Sequence, residues 1–344
     1  MDRSRSFLSP SFEHFLDILY DNGRLGERMK KMEKRQLGNT DLYISKIGLG
    51  CMSLGTDVEK AKSIIDASLD WGINYFDTAD LYDFGMNEEI VGKALKHVRD
   101  QVIIATKVGN RWTDKKDGWF WDASKTYIKE AVKQSLKRLQ TDYIDLYQLH
   151  GGTMEDNIDE TIEAFEELKQ EGIIRYYGIS SIRPTVIREY ATKSNAVSVM
   201  MQYSMLDRRP EQEAFPIMKE NGLFCFARGS LAKGLLTNKL LEKASPTIQE
   251  KGYLDYSYNE LKEILPALKE TLASKRSFTS VAIQFVLSNP TVIAAITGAS
   301  SIEQLEENVK SLHETPLTEE ELSFIRKLTK ENNYDVHTLK NSNK

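Results

Sequence analysis

The chain has 344 residues, with 46 Lys and Arg against 51 Asp and Glu, and a net charge of −5. Its 40% hydrophobic and 28% charged residues are the balance of an ordinary globular protein; no run reaches the roughly 20 apolar residues of a membrane span, and the acidic balance argues against nucleic acid as a main partner, because phosphate binding asks for clustered Lys and Arg. The two cysteines, Cys51 and Cys225, lie in no metal-ligand spacing and imply no disulfide framework, which suits a reduced, cytoplasmic setting.

Residues 1–31 differ from the rest. Phe7, Phe12, Phe15, Leu16, Ile18 and Leu19 suit a short amphipathic helix. No basic start, apolar run and small-residue cleavage site follow one another, so a signal peptide is not expected. The segment reads as an extension outside the core, with Met29 or Met32 as the functional start and residues 32–344 as a single domain. An arm that packs on a partner is the alternative.

Residues 33–37 and 42–44, separated by Gly38-Asn39-Thr40-Asp41, read as a hairpin. From Ile47 onward short apolar strands alternate with amphipathic helices. Strands are expected at 47–50, 74–77, 102–107, 143–150, 174–180, 197–203, 223–227 and 292–298, rich in Ile, Val, Tyr and Phe as buried parallel strands should be. Helices are expected at 58–71, 88–97, 124–139, 157–171, 184–193, 211–221, 278–287 and 301–312. Pro184 and Pro316 suit helix starts, and Gly72, Gly172 and Gly222 suit helix ends. Residues 109–122 read as a loop. Residues 237–274 read as an insertion with a helix near 258–273. Residues 318–330 read as a terminal helix opened by the capping box Thr318-x-x-Glu321. Eight β-then-α units without a break in composition predict an α/β fold closed into a (β/α)₈ TIM barrel. An open doubly wound sheet is the runner-up.

Four residues near the ends of expected strands form a proton-transfer set: Asp77, Tyr82, Lys107 and His150. An unperturbed tyrosine titrates near pH 10 and is a poor proton donor at neutral pH. A neighbouring ammonium favours the phenolate form. A carboxylate keeps that ammonium charged, and a neutral imidazole can hold a carbonyl oxygen. Together these groups protonate an oxygen that becomes an alkoxide, which hydride reduction of an aldehyde or ketone requires. Alone, Tyr82 could be a buried phenol and Lys107 a lysine reaching for solvent. The set makes the catalytic reading the better one. His14, His97, His313 and His337 have no such neighbours, and no cluster makes a metal site.

The stretches Gly48-Leu49-Gly50-Cys51-Met52, Phe76-Asp77-Thr78-Ala79-x-x-Tyr82, Thr106-Lys107, Asp145-Leu146-Tyr147-Gln148-Leu149-His150, Gly178-Ile179-Ser180, and Gly298-Ala299-Ser300-Ser301 with Glu307-Asn308 occur in the order in which the aldo-keto reductases carry them. From about Arg35 to about Leu328 the chain resembles that family. The resemblance implies a hairpin over the bottom of the barrel. It also implies a nicotinamide dinucleotide held across the barrel mouth without a Rossmann unit, and Gly48-x-Gly50 does lack the third glycine of that fingerprint. It carries nicotinamide and ribose contacts to Gly50, Cys51, Met52, Asp77, Ser180, Ser181, Gln202 and Arg228. It carries pyrophosphate contacts to Ser230, Leu231 and Lys233, and the adenine end to Gly298, Ala299, Ser300, Ser301, Gln304, Glu307 and Asn308. Cys51, beside that site, is either redox-sensitive or simply a small buried residue.

Three positions depart from the family pattern. Ser181 stands where an Asn is usual, and its hydroxyl has the shorter reach. Arg228 stands where a Tyr often stacks on the nicotinamide; a guanidinium can stack too, but its charge favours the neutral, reduced ring. Residues 298–304 offer no cation for a 2′-phosphate, so NADP(H) is expected with weakened preference and NAD(H) as a second cofactor. Three of the four tryptophans, Trp112, Trp119 and Trp121, crowd the loop after the third strand. They either pin that loop or wall an apolar substrate pocket. The expected activity is NAD(P)H-dependent reduction of a small carbonyl compound. The alternatives are a cofactor-binding regulatory subunit with little turnover and a barrel hydrolase.

Overall fold

The computed structural model describes residues 32–334, so the expectations for residues 1–31 lie outside the described residues. Strands β1 (Lys34–Gln36) and β2 (Tyr43–Ser45) pair antiparallel as the expected hairpin. The later strands are β3 (Ile47–Gly50), β4 (Tyr75–Asp77), β5 (Ile103–Val108), β6 (Asn110–Trp112), β7 (Trp119–Trp121), β8 (Ile144–Leu149), β9 (Ile174–Ser180), β10 (Ser198–Gln202), β11 (Phe224–Arg228) and β12 (Val292–Gly298). β3, β4, β5, β8, β9, β10, β11 and β12 are parallel and close into a barrel in chain order, with Gly298 of β12 opposite Gly50 of β3. The fold is therefore the (β/α)₈ barrel.

Its helices are α1 (Val58–Asp70), α2 (Met86–Leu95), α3 (Lys125–Leu139), α4 (Ile158–Gln170), α5 (Pro184–Lys193), α6 (Ala214–Glu220), α7 (Pro246–Lys251), α8 (Tyr258–Leu272), α9 (Phe278–Ser288), α10 (Ile302–Lys310) and α11 (Glu319–Leu328). Most starts are capped as their sequences suggest. Ser124, Asn157, Ser277 and Ser301 each accept a backbone N–H three residues on, and Thr318 closes a capping box with Glu321. Pro184 is the first residue of α5, whereas Pro316 precedes the cap of α11 instead of opening the helix.

Several local expectations fail for physical reasons. The helix foreseen at 211–221 begins only at Ala214, because Arg209–Glu211 turn as a 3₁₀ segment and Glu211 is drawn to Tyr203 and Arg208. The insertion carries a second helix, α7, ahead of α8. The loop at 109–122 is a hairpin, in which Trp112 faces Trp119 and Asn110 faces Trp121. Its aromatic strands are too short for a pattern of alternation to show.

Leu37, Leu42 and Ile44 of the first hairpin join the barrel interior with Tyr75, Ile103, Leu146, Met200, Phe226 and Ile293. Tyr75 and Phe226 stack across the barrel with ring centroids 4.5 Å apart. Arg35 donates to the carbonyl of Val292 at 2.9 Å and Asn74 accepts from the N–H of Ser45 at 2.9 Å, both at strand starts. The hairpin thus seals the amino-terminal end. The opposite end carries Gly50, Asp77, Lys107, His150, Ser180, Gln202, Arg228 and Gly298, each at or next to the last residue of its strand. Loops at that end of a barrel build its active site.

Candidate active site

Asp77 closes β4, and the adjacent β5 brings Lys107 beside it. The Lys107 ammonium is fully buried. It donates to Asp77 Oδ2 at 2.7 Å, to the carbonyl of Thr78 at 2.6 Å and to the Tyr82 hydroxyl oxygen at 3.3 Å. An ammonium has three donors, and all three are engaged. Gln148 donates to the other Asp77 oxygen at 3.5 Å. His150 follows β8, held by its backbone N–H to Val108 at 2.7 Å. Its ring stands edge-on to Tyr82, centroids 5.9 Å apart at 82°. The structure brings together all four residues of the expected proton-transfer set.

Burial raises the Asp77 carboxyl, and Lys107 partly offsets this. Burial would lower Lys107, but Asp77 and then Tyr82 outweigh it, so the ammonium is raised. The direction that matters is that of Lys107: two acceptors and a carboxylate hold its charge in place. His150 is pushed down to about 3 by burial first, then by the Lys107 and Arg228 charges. It is therefore a neutral imidazole at working pH. Its Nδ1 is buried without a hydrogen-bond partner.

Tyr82 lies on a tight turn. Asp83, Phe84 and Gly85 follow it with φ of 49°, 51° and 89°, all left-handed. Two non-glycine residues in that region cost on the order of 1–3 kcal/mol each, and such strain persists only where the surroundings enforce it.

A cleft of about 950 Å³ opens beside this set. Of the residues assigned to the cofactor, Gly50, Met52, Asp77, Gln202, Arg228, Ser230, Leu231, Lys233, Gly298, Ser301, Gln304, Glu307 and Asn308 line it, and Tyr82 does as well. Cys51, Ser180, Ser181, Ala299 and Ser300 do not. Cys51 is wholly buried and burial pushes its thiol up, which fits a packed residue and not a redox-active one. The Ser181 hydroxyl accepts the backbone N–H of Arg183 at 3.3 Å, and the Ser300 hydroxyl donates to Gln304 at 3.1 Å.

Sequence reasoning missed Ser53, Asn238, Lys239, Tyr253 and Thr279, which also line the cleft. Tyr253 belongs to the insertion, and its hydroxyl accepts from Gln202 at 3.2 Å while Arg228 donates to the same amide at 3.2 Å. Only the path of the insertion brings it there. Trp112, Trp119 and Trp121 are not among the lining residues. The Trp112 indole donates to the carbonyl of Asp80 at 3.2 Å, and that of Trp121 to Asp156 at 2.8 Å. Trp119 is 56% exposed. Trp121 packs so closely on Gly109 and Gly151 that a Cβ on either would stand within 2.9 Å of its ring. The space beside Gly151, next to His150 in the chain, is filled by this indole.

The lining suits a dinucleotide. The cations Arg228, Lys233 and Lys239 come from β11 and the loop after it, apolar faces come from Leu231, Tyr253 and Ile296, and hydroxyl and amide groups come from the start of α10. The volume lies at the upper end of small-molecule sites.

The model of the aldo/keto reductase family matches residues 46–330. The chain belongs to the aldo/keto reductase family. It is 59% identical over 306 residues to the oxidoreductase YqkF of Bacillus subtilis (strain 168), covering 89% of this chain and 99% of that one. It is 32% identical to the NADH-specific methylglyoxal reductase of Escherichia coli (strain K12), over 82% of this chain and 94% of that one. The holo form of aldo-keto reductase AKR11C1 from Bacillus halodurans superposes with a TM-score of 0.83 at 58% identity, covering 89% of this chain and 99% of that one. This aldo/keto reductase is thus an NAD(P)H-dependent oxidoreductase that acts on carbonyl and CH–OH groups of small molecules. No helix among the described residues is long and apolar enough to cross a membrane.

Proposed function

We propose that the enzyme reduces aldehydes or ketones to alcohols with NADPH, with NADH as a working second cofactor, and that Tyr82 supplies the proton. The observation that carries this reading is the Lys107 ammonium, buried and directed onto the Tyr82 oxygen at 3.3 Å. Because Tyr82 accepts there, its own O–H is left to donate toward the cleft. A nicotinamide bound in the cleft would supply the hydride. Tyr82 gives its proton to the oxygen of the carbonyl, and Lys107 stabilises the negative charge left on the phenol. Asp77 and the Thr78 carbonyl keep Lys107 charged and still. His150, neutral, donates to the same oxygen and orients it. Its orphaned Nδ1 favours the proton on Nε2, since an unpaired acceptor is cheaper to bury than an unpaired donor.

We assign the cofactor to the cleft, with Lys233 and Lys239 facing its phosphates and Arg228, hydrogen-bonded to Gln202, at the nicotinamide end. Glu303 and Glu307 line the end assigned to adenine, and residues 298–304 bring no cation, so discrimination in favour of a 2′-phosphate is weak. Residues 32–344 are read as the one barrel domain, and the buried free thiols of Cys51 and Cys225 suit a cytoplasmic setting.

Titration with NADPH and NADH, followed by cofactor fluorescence, comes first, and aldehydes such as methylglyoxal are then added to the same samples. Tyr82→Phe lowers kcat by roughly 10²- to 10⁴-fold with cofactor binding retained. Full activity in that variant removes Tyr82 from the mechanism. Binding without turnover on any carbonyl would favour a regulatory role instead.

A further inference from the structure

We propose that Glu88 and Arg138 are positioning residues that set the height of Tyr82 over Lys107. The inference rests on Tyr82 being the proton donor. The turn that carries Tyr82 ends in three left-handed residues, Asp83, Phe84 and Gly85. Its own backbone bonds run from Tyr82 N–H to Ala79 at 3.1 Å, from Phe84 N–H to Leu81 at 3.0 Å, and from Met86 N–H to the carbonyls of Tyr82 and Asp83.

A side chain from the outer helix layer packs on it as well. Arg138, in the last turn of α3, lies flat against Gly85: a Cβ on Gly85 would stand 2.8 Å from Arg138 Cδ and 3.0 Å from its Nε. Arg138 Nε donates to Glu88 Oε2 at 2.6 Å. Glu88, in the first turn of α2, is fully buried, and its other oxygen accepts from the Thr106 hydroxyl. Thr106 precedes Lys107 in β5. Alternation along the strand sends Lys107 into the barrel and Thr106 out toward the helices.

The contacts therefore form a closed ring: Lys107, Thr106, Glu88, Arg138, Gly85, Tyr82 and back to Lys107. The last link is 3.3 Å, slightly beyond the usual range of such a bond. A shift of a few tenths of an ångström in the turn decides whether the ammonium reaches the phenol. A buried ion pair is a poor source of stability compared with apolar packing. Here it fixes an orientation.

Arg138→Ala, Arg138→Lys, Thr106→Val and Tyr82→Phe are compared with NADPH and one aldehyde. Arg138→Ala lowers kcat about 10- to 100-fold, while KM and the NADPH dissociation constant stay within about twofold and the pH profile of kcat/KM moves. Arg138→Lys, which can still pair with Glu88, recovers most of the rate. Thr106→Val, which removes only the outermost link, falls between. A folded Arg138→Ala enzyme with the wild-type rate and profile overturns the inference, and so does a loss of rate that is matched by lost cofactor binding. If Arg138→Ala does not fold, an unchanged rate and pH profile in Thr106→Val overturns it. Retained activity in Tyr82→Phe would instead remove the donor on which the inference rests.

Discussion

His150 is held neutral at a pH where a free imidazole begins to charge. Burial comes first among the causes, with Lys107 and Arg228 adding to it, and the native value is about 3 against 6.5 for the free group. Below pH 6.5 the unfolded chain takes up a proton that the native state refuses. Stability therefore falls as pH drops through the window from 6.5 to about 3. In His150→Gln that term is gone. Between pH 7 and 5 the wild type should lose about 2 kcal/mol more than the variant in urea unfolding. A difference that does not change with pH would mean that the imidazole titrates freely. Asp77, Tyr82, Lys107 and His150 could be singled out in the sequence because their types suit proton transfer and each lies near a strand end. Arg138 could not. Nothing in the run Leu136-Lys137-Arg138-Leu139 separates it from a solvent-facing helix residue, and its place against Gly85 depends on how α3 packs.

The elements were legible where one periodicity ran long enough. α3, α4 and α8 show it over several turns, and polar caps mark where they begin. Thr318 of α11 accepts from the N–H of Glu321 at 3.2 Å, and Glu321 returns the contact to the N–H of Thr318 at 2.9 Å. Thr318→Ala should lower stability by about 1 kcal/mol and leave kcat unchanged, read by thermal unfolding and a rate assay together. An unaltered midpoint would show that the cap adds nothing. The short hairpin after the third barrel strand was not legible. The hairpin of β6 and β7 has three residues a strand, and its Trp112 and Trp121 are placed by Asp80, Asp156 and Gly151, which lie elsewhere in the chain.

Across the whole molecule, Asp145 ties the barrel to its lower end. It is fully buried, accepts from the N–H of Ile104 at 3.0 Å, and pairs with Arg99 at 2.8 Å and Arg175 at 2.6 Å. Arg175 also reaches Asp41 of the hairpin at 2.7 Å. Asp145→Ala removes the buried carboxylate shared by Arg99, Arg175 and a backbone N–H, leaving Arg175 only Asp41 and Arg99 only neutral acceptors, so it should cost about 3–5 kcal/mol. The denaturant midpoint falls while the slope stays the same. A change under 1 kcal/mol, on the scale of exposed ion pairs, would show that water satisfies those groups.

The sequence by itself determined the alternation of strand and helix, the closed barrel, the family, and the residue types grouped at the strand ends. All of these follow from local periodicity and the order of short motifs. Only the tertiary structure decided that the three donors of Lys107 are used up on Asp77, Thr78 and Tyr82, that Tyr253 of the insertion reaches Gln202, and that Trp121 fills the space at Gly151. Those facts are distances between parts of the chain far apart in sequence. They are set by how helices and loops pack around the barrel, which no local pattern encodes.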